Sequence, residues 1–255
     1  MRVSDTSPIL TIDGKIATIA FNKPEFANRL SPSDLEILRA HIQTVNISEE
    51  VLVLKIVSSG QYFCSGYDIS SLASDEAPSS TFFGDVVDEV ENCRAVTIAV
   101  IQGGVYGGGT DLCLACDFRF GTKQVNMFMP AVKFGLHFYP GGMRRYINCL
   151  GLNNAKKLFL TAEKIGAEEM YQMGFITHLV QEQDLQQAAA ELADKLSQMA
   201  PIALLGIKKH LNLIAKGVEK TEEILEAVRI SEASEDMKEG ALAWKEKRKP
   251  NFSGQ

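Results

Sequence analysis

The chain contains the glycine-rich stretch Gly103-Gly104-Val105-Tyr106-Gly107-Gly108-Gly109-Thr110-Asp111-Leu112. It follows an apolar run over 97–101 that predicts a buried strand, and it leads into an apolar segment, 112–116, that predicts a buried helix. Glycines at a strand-to-helix junction leave backbone N–H groups uncovered at the positive end of the helix. The stretch therefore predicts a site for an anion or for a developing oxyanion, and the alternative is a turn whose glycines serve only close packing.

The residues before this stretch predict an α/β fold. Two apolar runs, 9–12 and 16–21, flank an Asp13-Gly14 turn and predict a β-hairpin. A helix is predicted to begin at Ser31, which precedes a proline and has an aspartate three residues later. The β-branched run 51–57 predicts the next strand. The order of strand, helix and strand favours a parallel arrangement.

The second half of the chain is predicted to be mostly helical. Candidate helices cover 143–150, 155–160, 167–173, 184–198, 202–215 and 219–233. A shift of composition near residue 190 predicts an α/β core over 1–190 and a helical region over 191–255. The segment 70–81, rich in Ser, Ala, Asp and Pro, is predicted to be a surface loop.

Composition excludes several classes of function. A net charge of −6 over 255 residues disfavours a nucleic-acid or anionic membrane surface. Because the chain has no long apolar run and no secretory or transit pattern at its N-terminus, we expect a cytoplasmic protein. The five cysteines, including the Cys113/Cys116 pair, are interpreted as small buried hydrophobic residues, and no metal site is predicted.

Several motifs, taken in order, resemble those of the enoyl-CoA hydratase/isomerase (crotonase) superfamily. They are Cys64-Ser65-Gly66-Tyr67-Asp68-Ile69, Gly107-Gly108-Gly109, Cys116-Asp117-Phe118-Arg119, Leu160-Thr161-Ala162 and Glu246-Lys247-Arg248-Lys249-Pro250-Asn251-Phe252. The resemblance implies a spiral of ββα units with a helical C-terminal trimerisation region. It also implies an acyl-CoA or acyl-carrier-protein thioester as ligand, no cofactor other than the coenzyme A of the substrate, and a homotrimer or hexamer.

By this resemblance, the backbone N–H groups of Tyr67 and Gly108 form an oxyanion hole. Two such donors stabilise the enolate that forms when a thioester loses its α-proton or an α-carboxylate, by about 3–4 kcal/mol each. The residues expected to bind the substrate or its coenzyme A are Lys23, Ser65, Gly66, Asp68, Gly107 and Ala131.

Two positions depart from the pattern of hydratases in this superfamily, which use a pair of glutamates. Asp111 occupies the place of the first glutamate, as in the dienoyl-CoA isomerase branch, and Ala131 occupies the place of the second. Since alanine cannot hold a water or carry a proton, hydration by paired carboxylates is disfavoured. The structural alternative for Asp111 is a carboxylate that satisfies backbone amides at a helix N-terminus.

Tyr139 and His137 are further candidates, because the loop that carries them holds the special acid or nucleophile in several branches of the superfamily. The alternatives are a packed aromatic residue and a partly exposed histidine. Isomerase-type proton transfer by Asp111, assisted by Tyr139, is favoured. Decarboxylation of an acyl thioester and a catalytically silent thioester-binding subunit remain open.

Overall fold

The computed structural model describes residues 7–68 and 81–255 and contains two β-sheets and a helical C-terminal part. The strands are β1 (Ile9–Asp13), β2 (Ile16–Phe21), β3 (Val53–Ser58), β4 (Tyr62–Cys64), β5 (Val96–Ile101), β6 (Gly104–Tyr106), β7 (Phe118–Thr122), β8 (Asn126–Phe128), β9 (Ile165–Gly166) and β10 (His178–Val180). The larger sheet has the order β1-β2-β3-β5-β7-β10, and the smaller has the order β4-β6-β8-β9.

The helices of the described residues cluster toward the C-terminus. They are α1 (Pro32–Ile47), α2 (Phe82–Glu91), α3 (Gly108–Ala115), α4 (Pro140–Thr161), α5 (Ala167–Gln172), α6 (Leu185–Ser197), α7 (Pro201–Ala215), α8 (Thr221–Ala233) and α9 (Glu235–Glu246). Within this part of the chain, none of them has the length and apolar character that a membrane span requires.

The repeating element is a pair of strands followed by a helix. Strands β3, β5 and β7 pair in parallel in the larger sheet, and β4, β6 and β8, which follow them along the chain, pair in parallel in the smaller one. Each pair of strands leads to a helix: α2, α3 and α4. The predicted parallel α/β arrangement is confirmed. The strand β6 was not predicted; it lies between β5 and α3.

The N-terminal predictions hold with small shifts. β1 and β2 form the predicted antiparallel hairpin, but Asp13 pairs with Ile16, so the two loop residues are Gly14 and Lys15. Ser31 caps α1 in a capping box: its hydroxyl accepts from the Asp34 amide, and the Asp34 carboxylate accepts from the Ser31 amide at 2.9 Å. This reciprocal pair satisfies two otherwise unpaired donors at the start of the helix.

The helical half differs from the prediction in three places. The two helices predicted over 143–150 and 155–160 are one element, α4, with a break at Gly151, whose φ is +79°. α9 was not predicted. The proposed domain boundary at 190/191 falls inside α6, whose Leu185, Ala189 and Ala193 pack on the larger sheet. That division remains a prediction.

Two further expectations concern particular residues. The loop predicted over 70–81 lies, except for Thr81, outside the described residues. Four of the cysteines are buried as predicted, and burial raises the pKa of the Cys64 and Cys116 thiols to about 12. Cys149 is exposed, so the interpretation of all five as buried residues was wrong there.

Candidate active site

A cavity of about 420 Å³ opens where the chain after β4, the start of α3 and the segment after β8 meet. Its wall is formed by Ser65, Tyr67 and Phe83, by residues 106–108, and by residues 128–131, 134 and 136–139. This volume lies in the range of small-molecule sites. The glycine stretch and the Cys64–Asp68 motif, which are far apart in sequence, therefore border the same space.

Glycines allow these two segments to touch. A Cβ atom on Gly66, whose φ is +90°, would lie 2.7 Å from the backbone nitrogen of Gly108. A Cβ atom on Gly109 would lie 2.5 Å from the carbonyl oxygen of Cys64. Real Cβ atoms do not approach backbone this closely, so glycine is required at both positions. The contact holds Gly108 next to the residue that precedes Tyr67.

The backbone N–H groups of Tyr67 and Gly108 have no acceptor within residues 7–68 and 81–255. Leu30 pairs with the residues on either side of Tyr67, since its N–H donates to Gly66 at 2.8 Å and its carbonyl accepts from Asp68 at 2.9 Å. Gly108 is the first residue of α3 and so has no acceptor inside the helix. Two donors are thus available in the cavity wall at a helix N-terminus.

Asp111 does not line the cavity. Its side chain is fully buried, and Arg145, itself 2% exposed, donates to both carboxylate oxygens, from Nε at 2.9 Å and from Nη2 at 2.7 Å. The hydroxyl of Tyr139, which does line the cavity, donates to Asp111 Oδ2 at 2.6 Å. The Asp111 carboxylate, which was predicted to face the substrate, is therefore separated from the cavity by the Tyr139 phenol.

Arg145 connects this buried pair to the outside of the protein. Its Nη1 donates to Asp88 and, at 3.2 Å, to Glu91, both on α2. Glu91 also pairs with Arg144 at 2.9 Å and with Lys216 at 3.0 Å. The network joins α2, α3, α4 and the end of α7, so the position of Asp111 depends on the packing of all four helices.

The ring of Tyr139 is held in a slot. Cβ atoms on Gly84 of α2 and Gly142 of α4 would lie 2.6 Å and 2.9 Å from its carbon atoms, and Phe138 stacks on it at 4.3 Å. Burial, followed by the neighbouring Asp111 charge, raises the pKa of the Tyr139 phenol well above its ordinary value. Tyr139 is therefore a neutral hydroxyl at physiological pH.

The other predicted site residues fall into two groups. Ser65, Gly107, Ala131 and His137 line the cavity, together with Tyr67, Gly108 and Tyr139. His137 is exposed at the rim, where its Nδ1 lies 2.8 Å from the carbonyl oxygen of Phe138.

The second group lies elsewhere. The Lys23 ammonium is bound by both oxygens of the buried Asp34 at 2.7 Å, and the Asp68 carboxylate lies 3.3 Å from Arg29. Neither residue lines the cavity, and Gly66 contributes through its contact with Gly108 instead. The structure thus brings seven of the eleven predicted residues to one cavity and leaves Asp111, Lys23, Gly66 and Asp68 out of its wall.

Comparison with known proteins shows which family shares this fold. The family model described as "Enoyl-CoA hydratase/isomerase" matches residues 11–255. The chain belongs to the enoyl-CoA hydratase/isomerase family. It is 29% identical over 248 residues to the short-chain-enoyl-CoA hydratase of Clostridium acetobutylicum, covering 94% of this chain and 95% of that one.

Two further family members show the range of the comparison. The chain is 26% identical over 254 residues to the methylmalonyl-CoA decarboxylase of Escherichia coli, covering 96% of this chain and 97% of that one. The crystal structure of enoyl-CoA hydratase from Bacillus anthracis superposes with a TM-score of 0.85 at 26% identity, covering 98% and 100% of the two chains. The predicted crotonase-type α/β fold with a C-terminal helical region is confirmed, and the family acts on CoA thioesters.

Eight of the fifteen described residues of the cavity wall, Phe83 among them, were not predicted site residues, and neither was Arg145. Phe83 reaches the cavity from α2, and Arg145, on α4, pairs with Asp111. A pairing partner was foreseeable from the arginine alone, whereas the identity of the partner depends on how α3 packs against α4.

Proposed function

We propose that this family member generates a thioester enolate and moves a proton on it, as an enoyl-thioester isomerase. The observation that carries the proposal is the hydrogen bond from Tyr139, on the cavity wall, to Asp111 behind it. The N–H groups of Tyr67 and Gly108, which have no acceptor among the described residues, would bind the thioester oxygen, where negative charge develops as the α-proton leaves.

The proton moves in two coupled transfers. The phenolic oxygen of Tyr139 accepts the proton that leaves the substrate, while the phenol's own proton passes across 2.6 Å to Asp111. The reverse transfers deliver a proton to a different carbon of the enolate, so the double bond migrates and the enzyme returns to its starting state. Arg145 keeps the carboxylate in place and compensates its charge in the resting state.

Hydration is disfavoured by the composition of the cavity wall. In the part of the chain that the structure describes, no Asp or Glu side chain lines the cavity. Ala131, at which the family resemblance would place the second glutamate, lines it with a methyl group. A water molecule there would have no carboxylate to orient it or to take its proton.

Decarboxylation is the second candidate, and a specific observation favours it. A substrate with an α-carboxylate would meet no exposed negative charge among the described lining residues, because Asp111 is covered by Tyr139 and paired with Arg145. Loss of CO₂ creates the enolate without a base, and only a proton must then be supplied. The similarity to methylmalonyl-CoA decarboxylase supports keeping this reaction in the test.

One experiment separates the candidates. The protein is incubated in D₂O with 2-enoyl-, 3-enoyl-, malonyl- and saturated acyl-CoA thioesters, and products are followed by NMR. Double-bond migration, with deuterium entering the substrate, supports the isomerase, and CO₂ release from malonyl-type thioesters supports the decarboxylase. Formation of a 3-hydroxyacyl product would overturn both. Binding without any of these changes would identify a silent thioester-binding subunit.

The ligand and the assembly complete the proposal. Coenzyme A is the favoured carrier of the acyl group, and repeating the assay with acyl-carrier-protein thioesters tests the alternative.

We also propose a homotrimer or a hexamer. Exposed apolar residues on α7, α8 and α9 support self-association, among them Leu211, Val228 and Trp244, which is 88% exposed. Light scattering after size-exclusion chromatography would measure the assembly, and a monomer would contradict this part of the proposal.

A further inference from the structure

The wall of the cavity is unusually aromatic. Among the described residues, fifteen line the cavity and seven of these are Phe or Tyr, whereas aromatic residues make up 8% of the chain. Three of the seven come from the segment 134–139, and the other four, Tyr67, Phe83, Tyr106 and Phe128, come from four separate parts of the fold. An apolar site for a straight saturated chain needs only apolar area, which aliphatic residues supply equally well.

Three of these rings form a continuous track beside the reacting position. The ring of Phe83 lies 5.8 Å from the ring of Tyr67 in an edge-to-face arrangement and 6.3 Å from the ring of Tyr139. A Cβ atom on Gly108 would lie 2.6 Å from Phe83 Cε1 and Cζ, so the edge of this ring packs against the residue that carries the second proposed donor. An acyl chain whose carbonyl oxygen is held by Tyr67 and Gly108 therefore begins next to Phe83.

A second pair of rings comes from the smaller sheet. Tyr106 of β6 and Phe128 of β8 are register partners in neighbouring strands, and their rings lie 4.8 Å apart. The Tyr106 hydroxyl donates to Asn126 at 2.8 Å, which fixes the ring. Both residues line the cavity.

Two of the rings in the cavity wall are held in place by packing. Phe83 is 7% exposed, and the slot between Gly84 and Gly142 holds Tyr139. Rings with fixed orientations bind an aromatic ligand with a matching face or edge more tightly, because they lose no further side-chain entropy on binding. The gain in affinity is smaller for a flexible or saturated group.

From this arrangement we infer that the acyl group of the substrate carries an aromatic ring close to the thioester carbonyl. Phe83 is the residue that determines this specificity, because its ring packs against Gly108 and lies 6.3 Å from the Tyr139 ring. The inference rests on the proposed thioester function and narrows its substrate class.

A matched pair of ligands tests the inference on the unmodified protein. 3-Phenylpropanoyl-CoA and 3-cyclohexylpropanoyl-CoA share one carbon skeleton and differ in whether the ring is a flat aromatic ring or a puckered saturated one. Neither acyl chain contains a double bond that an isomerase could move. Area burial alone predicts equal binding or tighter binding of the more apolar cyclohexyl ligand. Ring complementarity predicts that titration calorimetry gives about fivefold to tenfold tighter binding of the phenyl ligand.

Two variants test whether Phe83 causes the preference for the phenyl ligand. Phe83→Leu is expected to reduce the preference to less than about twofold. Phe82→Leu is the matched control, since it is the same change on the adjacent residue of α2. The Phe82 ring lies under the Arg39 guanidinium at 5.1 Å and not on the cavity wall, so this variant should keep the preference. If Phe83→Leu does not fold, Phe128→Leu is the substitute.

The outcomes are distinct. Equal binding of the two ligands, or tighter binding of the cyclohexyl ligand, overturns the aromatic specificity and leaves the enolate chemistry standing. A phenyl preference supports the specificity, and the enolate chemistry is then tested separately on phenyl-bearing 3-enoyl- and malonyl-type CoA thioesters. If these show no double-bond migration, deuterium incorporation or CO₂ release, the specificity stands and the isomerase and decarboxylase proposals fall. Failure of both ligands to bind would overturn both.

Discussion

The Tyr139 hydroxyl donates a 2.6 Å hydrogen bond to the buried carboxylate of Asp111, so the phenol stands between that carboxylate and the cavity. If this pair relays the proton, removing either oxygen should stop the transfer without removing the thioester site. We expect Tyr139→Phe and Asp111→Asn to lower kcat for isomerisation by about 10²–10⁴-fold. Steady-state kinetics and thioester titration would measure catalysis and binding separately.

The control for these variants is His137→Gln. His137 is exposed at the rim of the cavity and has no contact with the Tyr139–Asp111 pair. We expect a change in KM of less than about threefold and little change in kcat. Full activity of Tyr139→Phe would return this tyrosine to a packing role, and full activity of Asp111→Asn would remove Asp111 from the mechanism.

Arg145 should be essential for stability because it compensates a fully buried carboxylate. Replacing it with methionine leaves Asp111 without its cation, and the free energy of unfolding should fall by about 3–5 kcal/mol. Arg39→Met is a matched control, since Arg39 is 25% exposed and pairs with Glu89 on α2 at 2.7 Å. That variant should cost at most about 1 kcal/mol.

Urea denaturation of both variants would measure the difference. The double variant Asp111→Asn/Arg145→Met should be more stable than Arg145→Met alone. The single variant leaves the buried Asp111 charge without a partner, and the double variant removes that charge. Equal stability of Arg145→Met and Arg39→Met would mean that the buried ion pair is not what holds α3 to α4.

The sequence predicted those elements that local signals specify. Ser31, followed by a proline and by an aspartate three residues later, marked the start of α1, and the Asp13-Gly14 pair between two apolar runs marked the hairpin. β6 was missed because three residues within a glycine-rich stretch carry no recognisable periodicity, and their pairing with β4 and β8 is entirely long-range. The break at Gly151 left α4 looking like two separate helices.

The site residues could likewise be predicted where the signal is local in sequence, and not where it depends on how the helices pack. The glycines that surround the oxyanion donors could be recognised from their type and spacing, since close backbone contact allows no side chain. The orientation of Asp111 could not, because a carboxylate in the first turn of a helix can face a cavity or a neighbouring helix. Arg145 decides between the two, and it approaches Asp111 only after α4 packs on α3.

Ala131 offers a test of why hydration is disfavoured. Ala131→Glu adds a carboxylate to the cavity wall, but Asp111 stays behind Tyr139, so the pair that orients a water is still incomplete. We expect no more than trace hydration of crotonyl-CoA, and weaker binding of malonyl-CoA by about tenfold or more through like-charge repulsion. Ala131→Gln, of the same size without the charge, is the control. Efficient hydration by Ala131→Glu would contradict the buried position of Asp111.

The pH dependence of Tyr139 follows from its raised pKa, which burial and then Asp111 cause. The folded state favours the neutral phenol, so this contribution to stability is present below pH 10 and is lost as pH rises further toward the folded pKa. Isomerase activity should therefore not decline up to about pH 10 through ionisation of Tyr139. Ultraviolet titration of phenolate in wild type and Tyr139→Phe should coincide until unfolding begins. A difference between them in the folded state at lower pH would contradict the assignment.

Gly66 tests the oxyanion hole without touching the substrate. A Cβ atom there would lie 2.7 Å from the Gly108 nitrogen, so Gly66→Ala must displace that donor or the segment before Tyr67. Loss of one donor should lower kcat by about 10²–10³-fold. Gly217→Ala is matched for backbone strain, because Gly217 has a φ of +72° and no atom within 4 Å of an added Cβ. It should cost about 1 kcal/mol of stability and leave kcat unchanged. Equal kcat values for the two alanine variants would mean that strain, and not displacement of the Gly108 amide, is the only effect of a side chain at position 66.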